Sequence, residues 1–195
     1  MEKIKLHDKT FKVMIPASEI DAAVERVAKQ LDERYKGRTP IFLGVLSGSF
    51  LFLSDLVRKI SFNSQVAFVK ISSYEGTESS GEVKQQLGID FDIEGRDVII
   101  VEDIVDSGRT LKYLVSYLLN KGAKSVRTVT LLDNLKRRKP ASISICTLFF
   151  KPEKFLYEYE IDYTALSIGN EFIVGYGLDY NQLGRNLKDI YVVDE

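Results

Sequence analysis

The stretch Val98–Leu111, VIIVEDIVDSGRTL, joins three signals that rarely meet by chance. Four aliphatic residues, Val98 to Val101, have the composition of a strand buried on both faces. Two adjacent acids follow, Glu102 and Asp103, and then a short polar turn, DSGRT, opens at Asp106. Beyond the turn, TLKYLVSYLLNKG (110–122) has helical periodicity and a glycine, Gly122, suited to ending it. A buried strand over 96–103 that feeds a helix through a tight turn is one half of a βαβ unit.

The same alternation extends in both directions. PIFLGVL (40–46) reads as a second strand buried on both faces, and FLFLSDLVRKI (50–60) after it is helical in period. QVAFVKISS (65–73) is a further strand, and YEGTESSGEV (74–83) is a polar, glycine-bearing loop. Before them, residues 18–37 carry Ile20, Ala23, Val24, Val27, Ala28 and Leu31 on one helical face, with Ser18 as the expected N-cap and Gly37 as the stop. Strand and helix in alternation predict an α/β fold with a mainly parallel sheet, whose ligands sit beyond the carboxyl ends of the strands. Glu102 and Asp103 stand at that edge.

Composition narrows the chemistry. With 195 residues, 45% hydrophobic and 28% charged, the chain suits one soluble globular domain over 1–195. Its 27 basic and 28 acidic residues leave a net charge of −1, so no broad basic field favours nucleic acid. No apolar run is long enough for a membrane span and no leader is evident, which predicts a cytoplasmic protein. One histidine, His7, and one cysteine, Cys146, exclude zinc clusters built from several Cys and His ligands. His7 is expected at the surface and Cys146, inside SISICTLFF, as a buried thiol.

Carboxylates, backbone amides, cationic side chains and an oxygen-bound metal are what is left. In DSGRT the glycine permits a turn whose amides, over residues 106–110, converge at a helix start and form an anion site. An ordinary capped helix, with Asp106 or Ser107 as N-cap, would explain the turn alone. Capping does not explain Glu102 and Asp103, which call for something cationic or rich in hydroxyls. A ribose joined to a magnesium-bound polyphosphate meets both demands.

VEDIVDSGRTL resembles the ribose-phosphate loop of the type I phosphoribosyltransferases, and three further segments are similar to those of the hypoxanthine-guanine branch. GVLSGSFLFLSDL (44–56) resembles its first loop, SSYEGTESSG (72–81) its mobile lid, and EFIVGYGLDYNQLGRNL (171–187) its purine- and pyrophosphate-binding tail. The resemblance implies a twisted parallel sheet flanked by helices, with a small hood from the terminal segments. It further implies transfer of ribose 5-phosphate from phosphoribosyl pyrophosphate to N9 of a 6-oxopurine, with Mg2+ as cofactor, in a homodimer or homotetramer. A sensor of phosphoribosyl pyrophosphate with the same fold, and a xanthine-preferring enzyme, are the alternatives.

By that resemblance Glu102 and Asp103 hold the ribose hydroxyls and, with Asp179, the metal. Asp106, Ser107, Gly108, Arg109 and Thr110 bind the 5-phosphate, and Asp106 also exchanges a proton with N7 of the base. Ser47, Gly48 and Arg185 hold pyrophosphate. Phe172 stacks on the purine, Ile173 reads its edge through the backbone, Lys151 donates to the oxygen on C6, and Ser73 and Tyr74 close over the centre. Two departures stand out. Ser47 occupies a place where the family usually has lysine. Residues 121–137 also lie over 138–154 at an offset of 17, Ser125 on Ser142 and Thr130 on Thr147, which implies an extra segment within about 121–144. That offset leaves Asn134 as a second candidate for the base donor, and, if the first copy is the inserted one, residues 125–132 form no strand.

Overall fold

Apolar runs at 41–46 and 98–101 have no polar face to turn to water, so they must be covered on both sides, whereas in the run at 65–69 only the alternate residues Ala67 and Val69 are buried. The computed structural model describes residues 3–73, 83–87, 92–105, 109–123, 143–150 and 162–194. Ten strands run through them in two sheets: β1 (Lys3–Leu6), β2 (Lys9–Ile15), β3 (Ile41–Leu46), β4 (Gln65–Ser73), β5 (Val83–Leu87), β6 (Val98–Val105), β7 (Ile143–Phe150), β8 (Tyr163–Ser167), β9 (Ile173–Val174) and β10 (Ile190–Val193). The helices are α1 (Ala17–Tyr35), α2 (Phe50–Lys59) and α3 (Arg109–Asn120).

The larger sheet has the order β5-β4-β3-β6-β7-β8. Strands β4, β3, β6, β7 and β8 are parallel, and β5 runs antiparallel at the edge. Residues alternate between its faces. Phe42, Ile99, Val101 and Cys146 pack against α1 and α2, with Ile20, Val24, Val27, Leu31, Phe52, Leu53 and Leu56. Leu43, Val45, Val69, Val98 and Ile100 pack on the other side against Leu111, Leu114 and Leu118 of α3. Each fully buried aliphatic side chain contributes about 1.5–3 kcal/mol. Cys146 is buried as expected, and burial pushes its thiol well up, so it stays protonated.

The smaller sheet, β1-β2-β10-β9, is antiparallel and draws its strands from both terminal regions, as the hood implied by the resemblance requires. Phe11, Val174 and Tyr191 form its own buried cluster. No helix among the described residues is long and apolar enough to cross a membrane.

Three boundaries differ from expectation. The strand predicted at 96–103 runs Val98–Val105, because β7 continues beside it as far as the Val105↔Phe150 pair. Val83, read as loop, opens β5, paired with Ser73 of β4. Ser18 does not cap α1. The helix starts at Ala17, two residues earlier than a Ser18 cap requires, behind Pro16, and the Ala17 amide donates instead to Asp189 Oδ1 at 2.6 Å. That carboxylate arrives from just before β10. Gly37 and Gly122 follow α1 and α3 with φ of +75° and +81°, a region where glycine is unstrained.

Candidate active site

Strand β6 delivers Glu102 and Asp103 to the carboxyl edge of the sheet, two to three residues before it ends. Asp103 lies against the turn between β3 and α2. A Cβ at residue 48 would overlap its carboxylate, so only glycine permits the approach. In that turn the Leu46–Ser47 peptide is cis, Ser47 is exposed, and Ser49 Oγ donates to the Val45 carbonyl at 2.7 Å.

Glu102 is buried, and its Oε2 has no hydrogen-bond partner among the described residues. Burial raises its pKa well above the usual glutamate range, and the charge of Asp103 adds to the rise. Burial also raises Asp103, against the opposing pull of Glu102's hydrogen bond, the Ile104 amide and the Arg185 guanidinium. The Ile104 N–H donates to Asp103 Oδ1 at 2.8 Å. A buried acid beside a second acid, with one oxygen unsatisfied, is costly unless a cation or donor hydroxyls meet it. The donor set is all oxygen and suits Mg2+.

The smaller sheet supplies the opposite wall. After β9 the chain turns through Gly175, Tyr176 and Gly177 with φ of +106°, +46° and +100°. A Cβ on Gly177 would overlap the Gly48 carbonyl oxygen, so the two loops touch backbone to backbone. Arg185 Nη1 donates to the Gly177 carbonyl at 2.7 Å, and Nη2 pairs with Asp179 Oδ1 at 2.6 Å. The other Asp179 oxygen accepts from the Gln182 amide at 2.7 Å. Ser47, Gly48, Asp103, Asp179 and Arg185 therefore form one contiguous group where the two sheets' loops meet. Its charges are paired in advance of any ligand, and its amides and guanidinium could receive anionic oxygens.

Phe172 precedes β9 and is 49% exposed, its edge toward Tyr180 with ring centroids 5.7 Å apart. Ile173 is buried, its backbone paired with Val192. The β1–β2 turn, which the sequence reading left out of the site, packs here. Tyr180 Oη donates to Asp8 at 2.8 Å, His7 Nε2 lies 3.1 Å from the Asn181 carbonyl, and the Lys9 ammonium sits 5.9 Å from the Phe172 centroid and 5.3 Å from that of Tyr180. Alternating residues around His7-Asp8 signal a hairpin, but nothing local says where its tip lands.

Helix α3 begins at Arg109, directly past β6, with Thr110 half-buried in its first turn. Ser73 ends β4. Asp106, Ser107, Gly108, Tyr74, Lys151 and Asn134 lie outside the described residues, as do the 125–132 segment and, across the repeat, residues 124–142 and 151–154.

A family profile described as phosphoribosyl transferase domain matches residues 16–140. The hypoxanthine-guanine phosphoribosyltransferase of Streptococcus pyogenes is 42% identical over 185 residues, covering 94% of this chain and 93% of its own. A bifunctional protein TilS/HprT of Listeria monocytogenes is 40% identical over 189 residues, and the chain spans only 26% of that longer protein. Among solved structures, a hypoxanthine phosphoribosyltransferase of Staphylococcus aureus superposes with a TM-score of 0.81 at 34% identity, covering 94% of this chain and 91% of its own. A parallel sheet with paired acids at its carboxyl edge and a hood across the cleft agrees with these likenesses, and the chain belongs to the hypoxanthine-guanine phosphoribosyltransferases.

Proposed function

We propose that this protein salvages purines, moving ribose 5-phosphate from phosphoribosyl pyrophosphate to N9 of hypoxanthine or guanine and releasing pyrophosphate. The observation that supports it most is the adjacent Glu102–Asp103 pair, Glu102 buried with an unsatisfied oxygen and Asp103 within the field of Arg185 from the other sheet's loop. Ribose hydroxyls donating to those carboxylates would satisfy them. The amides and side chains of Asp106, Ser107, Gly108, Arg109 and Thr110 hold the 5-phosphate at the start of α3. Ser47 and Gly48, with Arg185 facing them, hold the pyrophosphate end.

The bond from C1′ to the pyrophosphate oxygen breaks with its electron pair on oxygen, and N9 of the base bonds to C1′. As it does, the proton on N7 passes to Asp106. Positive charge gathering on the ribose is stabilised by Glu102 and Asp103. Mg2+ on those carboxylates, with Asp179, would offset the charge of the departing pyrophosphate. Phe172 supplies a flat face for the purine, the Ile173 backbone addresses its edge, and Lys151 donates to the C6 oxygen. Ser73 and Tyr74 exclude water that would otherwise hydrolyse the sugar. The protein works in the cytoplasm as a homodimer or homotetramer.

Incubation with phosphoribosyl pyrophosphate, Mg2+ and hypoxanthine, guanine, xanthine, adenine or orotate tests this directly. Nucleotide from hypoxanthine or guanine is expected. If no 6-oxopurine gives product, the proposal is discarded.

A further inference from the structure

Tyr176 carries a side chain where its neighbours are glycines. Its φ of +46° lies between Gly175 and Gly177, both also left-handed, and a residue with a Cβ persists there only when its surroundings hold it. The backbone is held by the Tyr176 amide donating to the Leu187 carbonyl at 2.9 Å and the Gly177 amide to the Arg185 carbonyl at 3.0 Å. The side chain is buried and crosses out of the smaller sheet's loop to the larger sheet's layer, where its hydroxyl donates to Asp55 Oδ2 at 2.6 Å. Burial and the Asp55 carboxylate both push the phenol up, so it stays a donor.

Asp55 sits in the second turn of α2, and α2 starts at Phe50, directly after the Ser47–Gly48 turn. Tyr176 is followed by Gly177, which abuts the Gly48 carbonyl and accepts from Arg185. One hydrogen bond therefore links the helix behind one pyrophosphate-binding loop to the loop that carries the other. Arg58 Nη1, at 4.0 Å from the other Asp55 oxygen, is too distant to replace the phenol.

We propose that Tyr176 and Asp55 are positioning residues, a tie across the cleft that sets how closely Arg185 approaches the Ser47–Gly48 turn and so how tightly pyrophosphate oxygens are gripped. Neither touches substrate. The inference rests on the pyrophosphate assignment of Ser47, Gly48 and Arg185 above. It concerns the pyrophosphate end of the cleft, because Gly177 and Arg185 are the groups the tie reaches, while Phe172 is held separately by Tyr180.

Steady-state kinetics of Tyr176→Phe, Asp55→Ala, Asp55→Asn and the Tyr176→Phe/Asp55→Ala double variant, with phosphoribosyl pyrophosphate and hypoxanthine varied in turn, provide the test. Tyr176→Phe should raise the KM for phosphoribosyl pyrophosphate about fivefold, the weight of one hydrogen bond, with kcat and the KM for hypoxanthine changed less than about twofold. Asp55→Ala should match it, the double variant should be no worse than either single one, and Asp55→Asn, whose amide oxygen still accepts, should restore most of the loss. Asp55 is a partly exposed position, so its variants test the idea even if Tyr176→Phe fails to fold. Unchanged KM for phosphoribosyl pyrophosphate in active, folded variants overturns the tie alone, as does an equal rise in both KM values or no recovery in Asp55→Asn. Wild-type protein that makes no nucleotide overturns the functional proposal and the tie together.

Discussion

Glu102 is the residue at which stability and function pull apart. Folded Glu102 binds its proton more tightly than the unfolded chain does, because burial and Asp103 disfavour its charge. Above the ordinary glutamate value of 4.5 the native state therefore holds the extra proton, and stability declines as pH rises through the elevated pKa. Ligand-free Glu102→Gln should melt higher than wild type at pH 7 to 8, converge with it near pH 4, and lose most of its turnover; equal melting at both pH values would refute the burial argument. Gly48→Ala forces the Asp103 carboxylate aside, and a displacement of about 1 Å in a reacting group is worth roughly 10²-fold in kcat/KM. Asp106→Asn should cut kcat by about 10²–10⁴ while KM moves little, since its proton role belongs to the transition state. The two acids were legible because they sit where an apolar run ends. Glu102's unsatisfied oxygen was not, because burial depends on strands distant in sequence.

At the scale of elements, periodicity predicts α1, β3, α2, β4 and α3 nearly to the residue, since each is defined by its own buried face. What it misses comes from elsewhere in the chain. The cap of α1 is the case in point: Ser18 has the right chemistry, yet Asp189 does the capping from beyond the GYG turn. Asp189→Ala should cost about 1 kcal/mol, a fall of roughly 2–4 °C in Tm for a chain of this size, whereas Ser18→Ala should cost little. Thermal melts of the pair decide it. The β1–β2 turn is illegible for the same reason, although it braces the aromatic surface through Tyr180 and Lys9. Lys9→Ala should raise the KM for the base about two- to fivefold, from the loss of a cation over the Phe172 and Tyr180 rings, and leave that for phosphoribosyl pyrophosphate unchanged.

For the whole molecule, the cleft is the seam between a sheet of local βα units and a sheet assembled from both terminal regions. A ligand spanning the seam binds only the native state. Phosphoribosyl pyrophosphate with Mg2+ at a hundredfold excess over Kd should add about 2.7 kcal/mol and raise Tm by several degrees. The apparent 17-residue surplus bears on the same seam, through which residue meets the C6 oxygen: Lys151→Ala should raise the KM for the purine and Asn134→Ala should not. The parallel sheet was readable from alternation alone, while the hood came only through resemblance, because its strands are short and each finds its partner across most of the chain. In it β10 sits between β2 and β9 and is the strand through which β9 joins the rest of the sheet. Loss of Ile190–Val193 would therefore leave β9 without a partner strand and detach the GYG turn's anchor from the rest of that layer.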